Sequence, residues 1–450
     1  MDRLAVGCRH LRSLALPCAF AAWFAMLGGC ASVARWSEFH GNPGNTGYVG
    51  VNTPVAELAS NRWTQKVGPT GFSSPAIAPD GTIYVGNMQG QVWGWNPDGT
   101  LRQSTQFPAF DALSSMAIGE DGILHYTVLR NLSGTNAGLY CRTSTVPALK
   151  LIACRDFPDG GITTAPPKIW TYQGATYAFV PSYRDAQRDL LVYRDGELVH
   201  RHFVDCPAEV RGGNDDVWKI IVGILTGGLS LAIPGANPFE FKVPGIDRRE
   251  WHLDPAVGVW DRSAEGRAVL VAAFSGCPVQ GLEWRPDTGR IVQLWRRTAG
   301  VSNYYSSPAI ASNGTTSIGR DDGHVHAFHA LTGTLDWDFD AGEAVLATPA
   351  IAPGGDVYVV ALRKAYVVSG WAGGTATQSF ALPSATNASP AISNNRVYIA
   401  HSTGMVTLDL TVTQTQVHDG RVIGGLSSPV IGKDGSVYVV SNDGYLFSFK

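Results

Sequence analysis

A short phrase of small and apolar residues recurs along this chain. It reads small-Ser/Thr-Pro-Ala/Val-Ile and precedes a glycine turn and an alternating apolar run. Clear copies occupy residues 73–77, 306–310, 347–351, 388–392 and 427–431, and weaker copies lie near residues 116, 166 and 255. The copies are 39 to 41 residues apart in the regular parts of the chain. A period of about 40 residues without a helical pattern is typical of β-propeller blades.

Turn residues divide each repeat into four short strands. In the first repeat we predict strands at residues 75–78, 82–86, 91–95 and 101–106, joined by turns that contain Gly81 and Gly90. One blade cannot bury both faces of its sheet, so blades must stack around an axis. The eight copies predict an all-β fold, an eight-bladed β-propeller of four-stranded blades. Seven blades are the alternative, because copies two to four are weak.

The last repeat lacks a fourth strand. The sequence stops at Lys450, directly after the third strand of this repeat. Residues 61–67 precede the first repeat, and their Trp63 stands where the fifth repeat has Trp337. We therefore predict that this N-terminal strand completes the last blade, which closes the ring and leaves no free sheet edge.

Residues 1–29 have the pattern of a lipoprotein signal peptide. Three arginines precede an apolar run at residues 14–27 that is too short to span a membrane. The run ends in Leu-Gly-Gly-Cys, which resembles a lipobox, so we predict lipid attachment at Cys30 and a tether with an N-terminal segment over residues 30–60. Ala31, rather than Asp, then favours the outer membrane, facing the periplasm. An ordinary secretory signal with a chance cysteine is the alternative.

The predicted propeller, residues 61–450, contains an apolar insertion at residues 207–251. Its most apolar part, residues 217–233, carries one charge and is too short and too rich in glycine for a membrane-spanning helix. We expect a loop between the third and fourth blades that packs on the propeller face. The alternative is an exposed apolar patch that meets a partner or a membrane surface.

Composition and charge narrow the classes of protein. The chain has 52 glycines, 10% aromatic residues and 16% charged residues, which argues against coiled coils, helical solenoids and disorder. A formal net charge of −3 excludes a strongly basic nucleic-acid binder.

Four cysteines remain beyond the predicted lipid site. An even number in an oxidising compartment predicts two disulfides. Cys141 and Cys154 are the easiest local pair, which leaves Cys206 with Cys277. Four free thiols are the alternative.

Two histidine groups could attract a metal ion. His324 and His326 share one strand face, as residues i and i+2 do, whereas His329 has the opposite parity. His200 and His202 have the same spacing as the first pair. We expect both groups to be surface or packed strand residues, and we predict no metal site.

The fifth repeat carries a longer motif over residues 327–337, Ala-Phe-His-Ala-Leu-Thr-Gly-Thr-Leu-Asp-Trp. It resembles the tryptophan-docking motif of quinoprotein propellers, Ala-x-Asp-x-x-Thr-Gly-x-x-x-Trp. The matching residues are Ala327, Thr332, Gly333 and Trp337. His329 replaces the aspartate of the motif, and the fourth repeat keeps Asp-Thr-Gly at residues 287–289 but shifts its tryptophan to Trp295. By this resemblance, the matching residues form a structural docking motif.

The opening phrase of the mature chain, residues 36–47, also resembles the N-terminal phrase of quinoprotein-like repeat proteins. The resemblance covers residues 36–450 with residues 207–251 outside it. One branch of these propellers, the quinone-dependent alcohol and sugar dehydrogenases, holds pyrroloquinoline quinone beside Ca²⁺ on the ring axis. This sequence has no adjacent cysteine pair, no CxxCH haem site and no clear cluster of oxygen ligands. The other branch is the lipid-anchored scaffold of outer-membrane protein assembly, which is similar in size, anchor and blade count.

We therefore predict a non-catalytic, lipid-anchored periplasmic scaffold that acts in outer-membrane protein assembly or envelope maintenance. The expected protein is a monomer that binds envelope proteins through its rim loops and the membrane through its lipid, and it binds no nucleic acid. We expect no catalytic, cofactor-binding or metal-binding residues, and neither pyrroloquinoline quinone nor Ca²⁺. The alternatives are a quinone-dependent dehydrogenase and a carbohydrate- or cell-wall-binding propeller.

Overall fold

Eight antiparallel sheets follow one another along the chain, one for each predicted repeat. The computed structural model describes the chain except for residues 1–35, 55–60, 71–72, 108–111, 133–134, 185–186, 205, 207–254, 275–276, 299–305, 371–372, 411–415, 420–426 and 442. The described residues lie within one compact unit, Arg35–Lys450. The signal peptide, the lipid site at Cys30 and the insertion at residues 207–251 lie outside the described residues and stay predictions.

Strand β1 (Asn61–Lys66) comes first and belongs to blade 8. Blades 1 and 2 consist of β2 (Ala76–Ile77), β3 (Ile83–Gly86), β4 (Gln91–Trp95) and β5 (Leu101–Gln106), then β6 (Ala112–Leu113), β7 (Ala117–Ile118), β8 (Ile123–Leu132), β9 (Thr135–Ser144) and β10 (Lys150–Asp156). Blades 3 and 4 consist of β11 (Lys168–Tyr172), β12 (Ala175–Arg184), β13 (Gln187–Arg194) and β14 (Glu197–Val204), then β15 (Gly258–Arg262), β16 (Arg267–Ala272), β17 (Val279–Arg285) and β18 (Arg290–Arg297).

The C-terminal half continues the same order. Blades 5 and 6 consist of β19 (Ala309–Ile310), β20 (Thr315–Gly319), β21 (His324–His329) and β22 (Leu335–Asp340), then β23 (Ala350–Ile351), β24 (Asp356–Ala361), β25 (Lys364–Ser369) and β26 (Thr375–Ala381). Blades 7 and 8 consist of β27 (Ala391–Ile392), β28 (Arg396–His401), β29 (Gly404–Asp409) and β30 (Gln416–Asp419), then β31 (Val430–Ile431), β32 (Val437–Val440) and β33 (Tyr445–Phe449). Among the described residues, two short 3₁₀ helices, Pro158–Gly160 and Ser263–Glu265, lie between strands.

The predicted eight-bladed all-β propeller is confirmed. The first strands of neighbouring blades contact each other, for example β15 with β19 and β19 with β23, so the first strands form the inner ring. Apolar clusters fill the spaces between blades, as between blades 3 and 4, where Phe179 and Leu270 are fully buried. The burial of Ala, Val and Ile in the inner strands follows from this stacking.

Blade 2 departs from the four-stranded plan. Its sheet has five strands, because β6 and β7 both pair with β8 in place of a single first strand. Strand β8 spans ten residues, whereas the first strands of the regular blades that carry the Pro-Ala-Ile phrase span two, so one such strand cannot cover it.

The N-terminal strand closes the ring, as predicted. Strand β1 pairs antiparallel with β33 in blade 8, with Trp63 opposite Ser448 and Lys66 opposite Tyr445. The fourth strand of the last blade therefore comes from the beginning of the propeller sequence, and β33 has a hydrogen-bonded neighbour on both sides.

Three tryptophans on fourth strands dock on glycines of the following blade. A Cβ added to Gly374 would lie within about 3 Å of Trp337, and the same holds for Gly333 with Trp295 and for Gly99 with Trp63. Trp63 and Trp295 also donate their indole N–H to backbone carbonyls of the neighbouring blade, at Pro97 (3.0 Å) and Ala330 (2.6 Å). The shift of the fourth repeat's tryptophan by two residues keeps it on the same strand face, so docking survives.

Both predicted disulfides are present. Cys141 and Cys154 lie opposite each other on β9 and β10 of blade 2. Cys206, just beyond β14 of blade 3, bonds to Cys277, just before β17 of blade 4. The second disulfide therefore ties together the two blades that flank the insertion.

Candidate functional site

Residues 36–54, here called the axial segment, run along the inner ring. Inner-strand residues of six blades donate their backbone N–H to carbonyls of this segment, with N···O distances of 2.6–2.8 Å. The donor and acceptor pairs are Ile77 with Trp36, Ile118 with Ser37, Val259 with Pro43, Ile310 with Gly44, Ile351 with Thr46 and Ile392 with Gly47. The first strand of each blade would otherwise present unpaired amides to the axis, and the axial segment satisfies them.

Blade 3 uses side chains for the same purpose. Its first strand begins with Lys168, whose ammonium donates to the carbonyls of Phe39 (2.5 Å) and Asn42 (3.0 Å). Glu38 accepts from the backbone N–H of Ile169 and lies 3.3 Å from the ammonium of Lys168. The segment then reaches blade 8, where the carbonyl of Asn52 packs against the glycine turn after β31. It thus contacts all eight blades in ring order.

The Lys168–Glu38 pair is completely enclosed, with side-chain exposures of 0% and 1%. Burial raises the pKa of Glu38 and lowers the pKa of Lys168, and the attraction between the two opposes both shifts. Each charge is therefore held in place by the other and by backbone groups, which is the role of a structural ion pair.

His40 and Asn45 join distant blades to the axial segment. The ring nitrogens of His40 lie 2.6 Å from the Asn45 carbonyl and 2.9 Å from the Pro390 carbonyl. Burial lowers the pKa of His40 to about 4, and the hydrogen bonds to both carbonyls oppose this shift. The amide of Asn45 donates to the carbonyls of Val257 and Pro308, in blades 4 and 5. These polar groups hold the ring together.

A belt of hydroxyl groups connects the blades at the N-terminal ends of the inner strands. In six blades, the Ser or Thr at the second position of the repeated phrase accepts a backbone N–H from the preceding blade at 2.8–3.1 Å. The belt consists of Ser74, Ser115, Ser307, Thr348, Ser389 and Ser428. Blades 3 and 4 contribute no hydroxyl to the belt, because the register of their first strands puts Pro166 and Ala256 at this position. The belt explains the Ser/Thr-Pro part of the repeat.

The resemblance to quinone-dependent dehydrogenases implies pyrroloquinoline quinone and Ca²⁺ near the inner strands, so the oxygen ligands there are of interest. Ca²⁺ takes roughly six to eight oxygen ligands, with carboxylates among them. Around the axial segment, the buried carboxylates that the structure describes are already paired with bases, Glu38 with Lys168 and Asp409 with Arg396 at 3.2 Å. The described carboxylates next to the axial segment are thus engaged in ion pairs, and the hydroxyl belt is engaged in hydrogen bonds between blades.

Within the described part of the chain, one group of three metal-ligating side chains comes together, on the outer half of blade 5. It consists of His324 and His326 on β21 and Asp338 on β22. Cross-strand pairing places Asp338 opposite His326. Sequence reasoning found the two histidines and missed the aspartate, because cross-strand partners depend on a bulge in β21–β22 pairing. His329 packs elsewhere, edge-on to Trp260.

Hydrogen bonding and burial shift the pKa values of the two histidines, His324 and His326, in opposite directions. Nδ1 of His324 lies 2.8 Å from the Asp338 carboxylate, and this hydrogen bond raises the pKa of His324. Burial, followed by the nearby Arg320 guanidinium, lowers the pKa of His326. Nε2 of His326 lies 3.1 Å from the guanidinium of Arg320 and 3.8 Å from the Asp338 carboxylate.

His200 and His202 lie on β14 of blade 3, as packed strand residues. Nε2 of His200 accepts the backbone N–H of Ile291 at 3.4 Å, and its ring packs near Trp284. Burial lowers the pKa of both histidines. The structure brings no carboxylate among the described residues into ligand distance of both rings.

The outer strands of blades 2 and 3 expose large apolar side chains. On β14, Leu198, Val199 and Phe203 are 40%, 43% and 60% exposed, and on β10 Ile152 is 47% exposed. The outer strand of blade 6, β26, is equally exposed but mostly polar. Among the described residues, no helix has the length and apolar character needed to cross a membrane.

Comparison with known proteins agrees with this architecture. Residues 281–450 match the family model of the outer membrane protein assembly factor BamB. No curated protein matches the sequence. The structure resembles BamB from Moraxella catarrhalis at a TM-score of 0.58 and 9% identity, over 87% of this chain and 99% of the other.

Two further solved structures share the fold. Quinohemoprotein alcohol dehydrogenase from Comamonas testosteroni is similar at a TM-score of 0.62 and 12% identity, over 93% of this chain and 81% of the other. Sqt1 from Saccharomyces cerevisiae is similar at a TM-score of 0.58 and 11% identity, over 86% of this chain and 97% of the other. The predicted resemblance to quinoprotein-like repeat propellers, and to the assembly factor BamB among them, is confirmed.

Proposed function

We propose that this protein is a non-catalytic scaffold of the bacterial envelope. It is held on the periplasmic side of the outer membrane by lipid on Cys30, and it binds a protein partner through its rim loops and outer strands. Its place is in outer-membrane protein assembly or envelope maintenance. The match of residues 281–450 to the assembly factor BamB supports this choice.

The axial segment is the observation that carries the proposal. Carbonyls of this segment accept hydrogen bonds from the inner-strand amides of six blades. At blade 3, Lys168 and Glu38 make the contacts with side chains. Recognition is thereby left to the turns and outer strands, which a rigid ring displays at fixed positions. Exposed Leu198, Val199 and Phe203 on β14 suit an apolar partner surface.

A quinone-dependent dehydrogenase is the second candidate. The likeness to quinohemoprotein alcohol dehydrogenase, which extends over 93% of this chain, favours it. Fold alone does not decide function, so the two candidates are separated by experiment.

Replacing Cys30 by Ala is expected to abolish incorporation of radiolabelled palmitate into the protein, because the cysteine of a lipobox carries the lipid. Cys18→Ala provides a matched control, since Cys18 belongs to the same predicted signal peptide. That variant should be labelled like the unaltered protein. Equal labelling of the Cys30 variant would contradict the lipid anchor.

A photo-crosslinking residue at position 203 should capture a component of the outer-membrane protein assembly machinery in intact cells. Phe203 is exposed on β14, so the substitution leaves the core unchanged. Ser379 on the polar outer strand β26 is the matched control, and crosslinking there should be at least about tenfold weaker if recognition follows the apolar surface. Equal capture at both positions would oppose recognition through β14.

Assays of the purified mature protein distinguish the scaffold from the dehydrogenase. Calorimetry with pyrroloquinoline quinone and Ca²⁺ should show no stoichiometric binding, and a dye-reduction assay over alcohols and sugars should show no turnover. Binding with turnover would overturn the scaffold proposal, whatever the crosslinking shows.

A further inference from the structure

We propose that His324, His326 and Asp338 bind a divalent transition-metal ion, with Zn²⁺ as the probe, on the outer half of blade 5. This site is independent of the proposed scaffold function. It lies on the third and fourth strands of the blade, away from the inner ring.

The donor atoms already stand near the spacing that an ion requires. A tetrahedral Zn²⁺ with bonds of about 2.0–2.1 Å needs donor atoms about 3.3 Å apart. Here the Asp338 carboxylate oxygen lies 2.8 Å from Nδ1 of His324 and 3.8 Å from Nε2 of His326, and all three donor atoms lie within 4.8 Å of one another. Movements of less than about an ångström in partly exposed side chains would complete the geometry.

The backbone fixes this arrangement before any ion arrives. Strand alternation puts His324 and His326 on one face of β21, and antiparallel pairing sets Asp338 of β22 directly opposite His326. The three side chains thus need no loop to bring them together. A site built on paired strands is held more precisely than one on loops.

The donor set selects the class of metal ion. Two imidazoles with one carboxylate suit Zn²⁺, Cu²⁺ or Ni²⁺, whereas Ca²⁺ and Mg²⁺ require oxygen ligands. Three protein ligands leave a fourth position open to water or to a further ligand. The site is partly exposed, so an ion can enter from solvent.

The contact with Arg320 shows which nitrogen of His326 carries a lone pair. A guanidinium can only donate hydrogen bonds, so the Nε2 atom that it contacts at 3.1 Å must carry a lone pair. His326 is then the neutral tautomer with its proton on Nδ1, which presents Nε2 to the ion. Arg320 is also drawn towards Asp322, at 2.7 Å, and this pairing gives the guanidinium an alternative partner when an ion displaces it.

Neighbouring charges set the expected strength of binding. Asp340 lies opposite His324 on β22, and together with Asp338 it offsets the charge of the ion. The guanidinium of Arg320 opposes the ion, because like charges within a few ångströms repel. Removing Arg320 should therefore tighten binding, which a purely structural histidine cluster would not predict.

The test uses the untagged mature chain, titrated with Zn²⁺ in a calorimeter and with Co²⁺ by visible absorption. One saturable site is expected for the unaltered protein. Asp338→Asn and His326→Ala should weaken binding at least about tenfold, since the first replaces a charged ligand by a weaker neutral one and the second removes a ligand. Arg320→Leu should tighten it by about threefold or more.

A double variant, His200→Ala with His202→Ala, is the matched control. These histidines have the same spacing on a strand but no third ligand from the described residues, so Zn²⁺ binding should not change. Urea unfolding of every variant checks that the propeller is intact, and Asp338→Asn alters no side-chain volume. No saturable binding to the unaltered chain would overturn the proposal, as would equal loss in the control and in Asp338→Asn.

Discussion

Lys168→Met is expected to lower the free energy of unfolding by about 3–5 kcal/mol. The substitution leaves the carboxylate of Glu38 buried without its cation, at 1% exposure. It also removes the donor to the carbonyls of Phe39 and Asn42. The three acceptors then lose their partner in an interior that water does not reach, and each unsatisfied group is destabilising. Urea unfolding followed by tryptophan fluorescence measures the loss.

A second substitution separates the charge from the shape of the site. Glu38→Gln combined with Lys168→Met removes both charges and keeps an oxygen that can accept the N–H of Ile169. Most of the lost stability should return, because the isolated buried charge was the main penalty. If the double variant is as unstable as Lys168→Met, the charge pair is not the cause.

An exposed pair supplies the comparison. Arg155 and Glu197 link blades 2 and 3 with side-chain exposures of 44% and 68%. Arg155→Met should change the free energy of unfolding by less than about 1 kcal/mol, because solvent screens such pairs.

The deficit in unfolding free energy of Lys168→Met should also shrink as pH falls. Burial raises the pKa of Glu38 in the folded state, so protonation favours the folded variant, and the deficit is present above that raised pKa and fades below it.

The blade pattern could be predicted because it depends on local rules. Glycine turns, alternating apolar runs and the repeated phrase each act within about 40 residues, so eight blades and the third and fourth strands of blade 1 follow from the sequence alone. Trp63 could be matched to Trp337 for the same reason, and that match led to the correct closure of blade 8. The local disulfide between Cys141 and Cys154 followed from spacing.

The course of the axial segment could not be predicted in this way. Its partners are backbone amides of inner strands, such as those of Ile77 and Ile310, and a backbone amide has no sequence signature. Residues 36–47 resembled a known opening phrase, yet the phrase does not state which blades it contacts. Lys168 gave a weak signal, because a lysine in the first strand of a blade must find a buried partner.

The candidate metal site could be predicted from the sequence only in part. The spacing of His324 and His326 showed that they share a strand face. Asp338 could not be assigned to them, because its register depends on the bulge where Ala327 and Phe328 meet β22. A one-residue change in register would have turned Asp338 to the other face of the sheet.

A chain that begins at residue 72 is expected to lose cooperative unfolding and to aggregate. It lacks β1, so β33 presents an unpaired edge along Tyr445–Phe449. It also lacks the axial segment, so the inner amides of six blades lose their acceptors. A chain that begins at residue 61 keeps β1 and should unfold cooperatively at a lower urea concentration. Light scattering and urea unfolding distinguish the two.

Adding the missing residues as a peptide tests whether the loss of β1 and of the axial segment is the cause. A peptide of residues 36–70, mixed with the chain that begins at residue 72, should restore cooperative unfolding by strand addition to β33. The same peptide with Trp63→Ala should restore it less well, because Trp63 also docks on Gly99 and donates to the Pro97 carbonyl of blade 1. That contact joins blade 8 to blade 1. Pairing with β33 alone completes the last blade but leaves blades 8 and 1 without the Trp63 contact. If the chain that begins at residue 72 unfolds like the mature protein, neither β1 nor the axial segment closes the propeller.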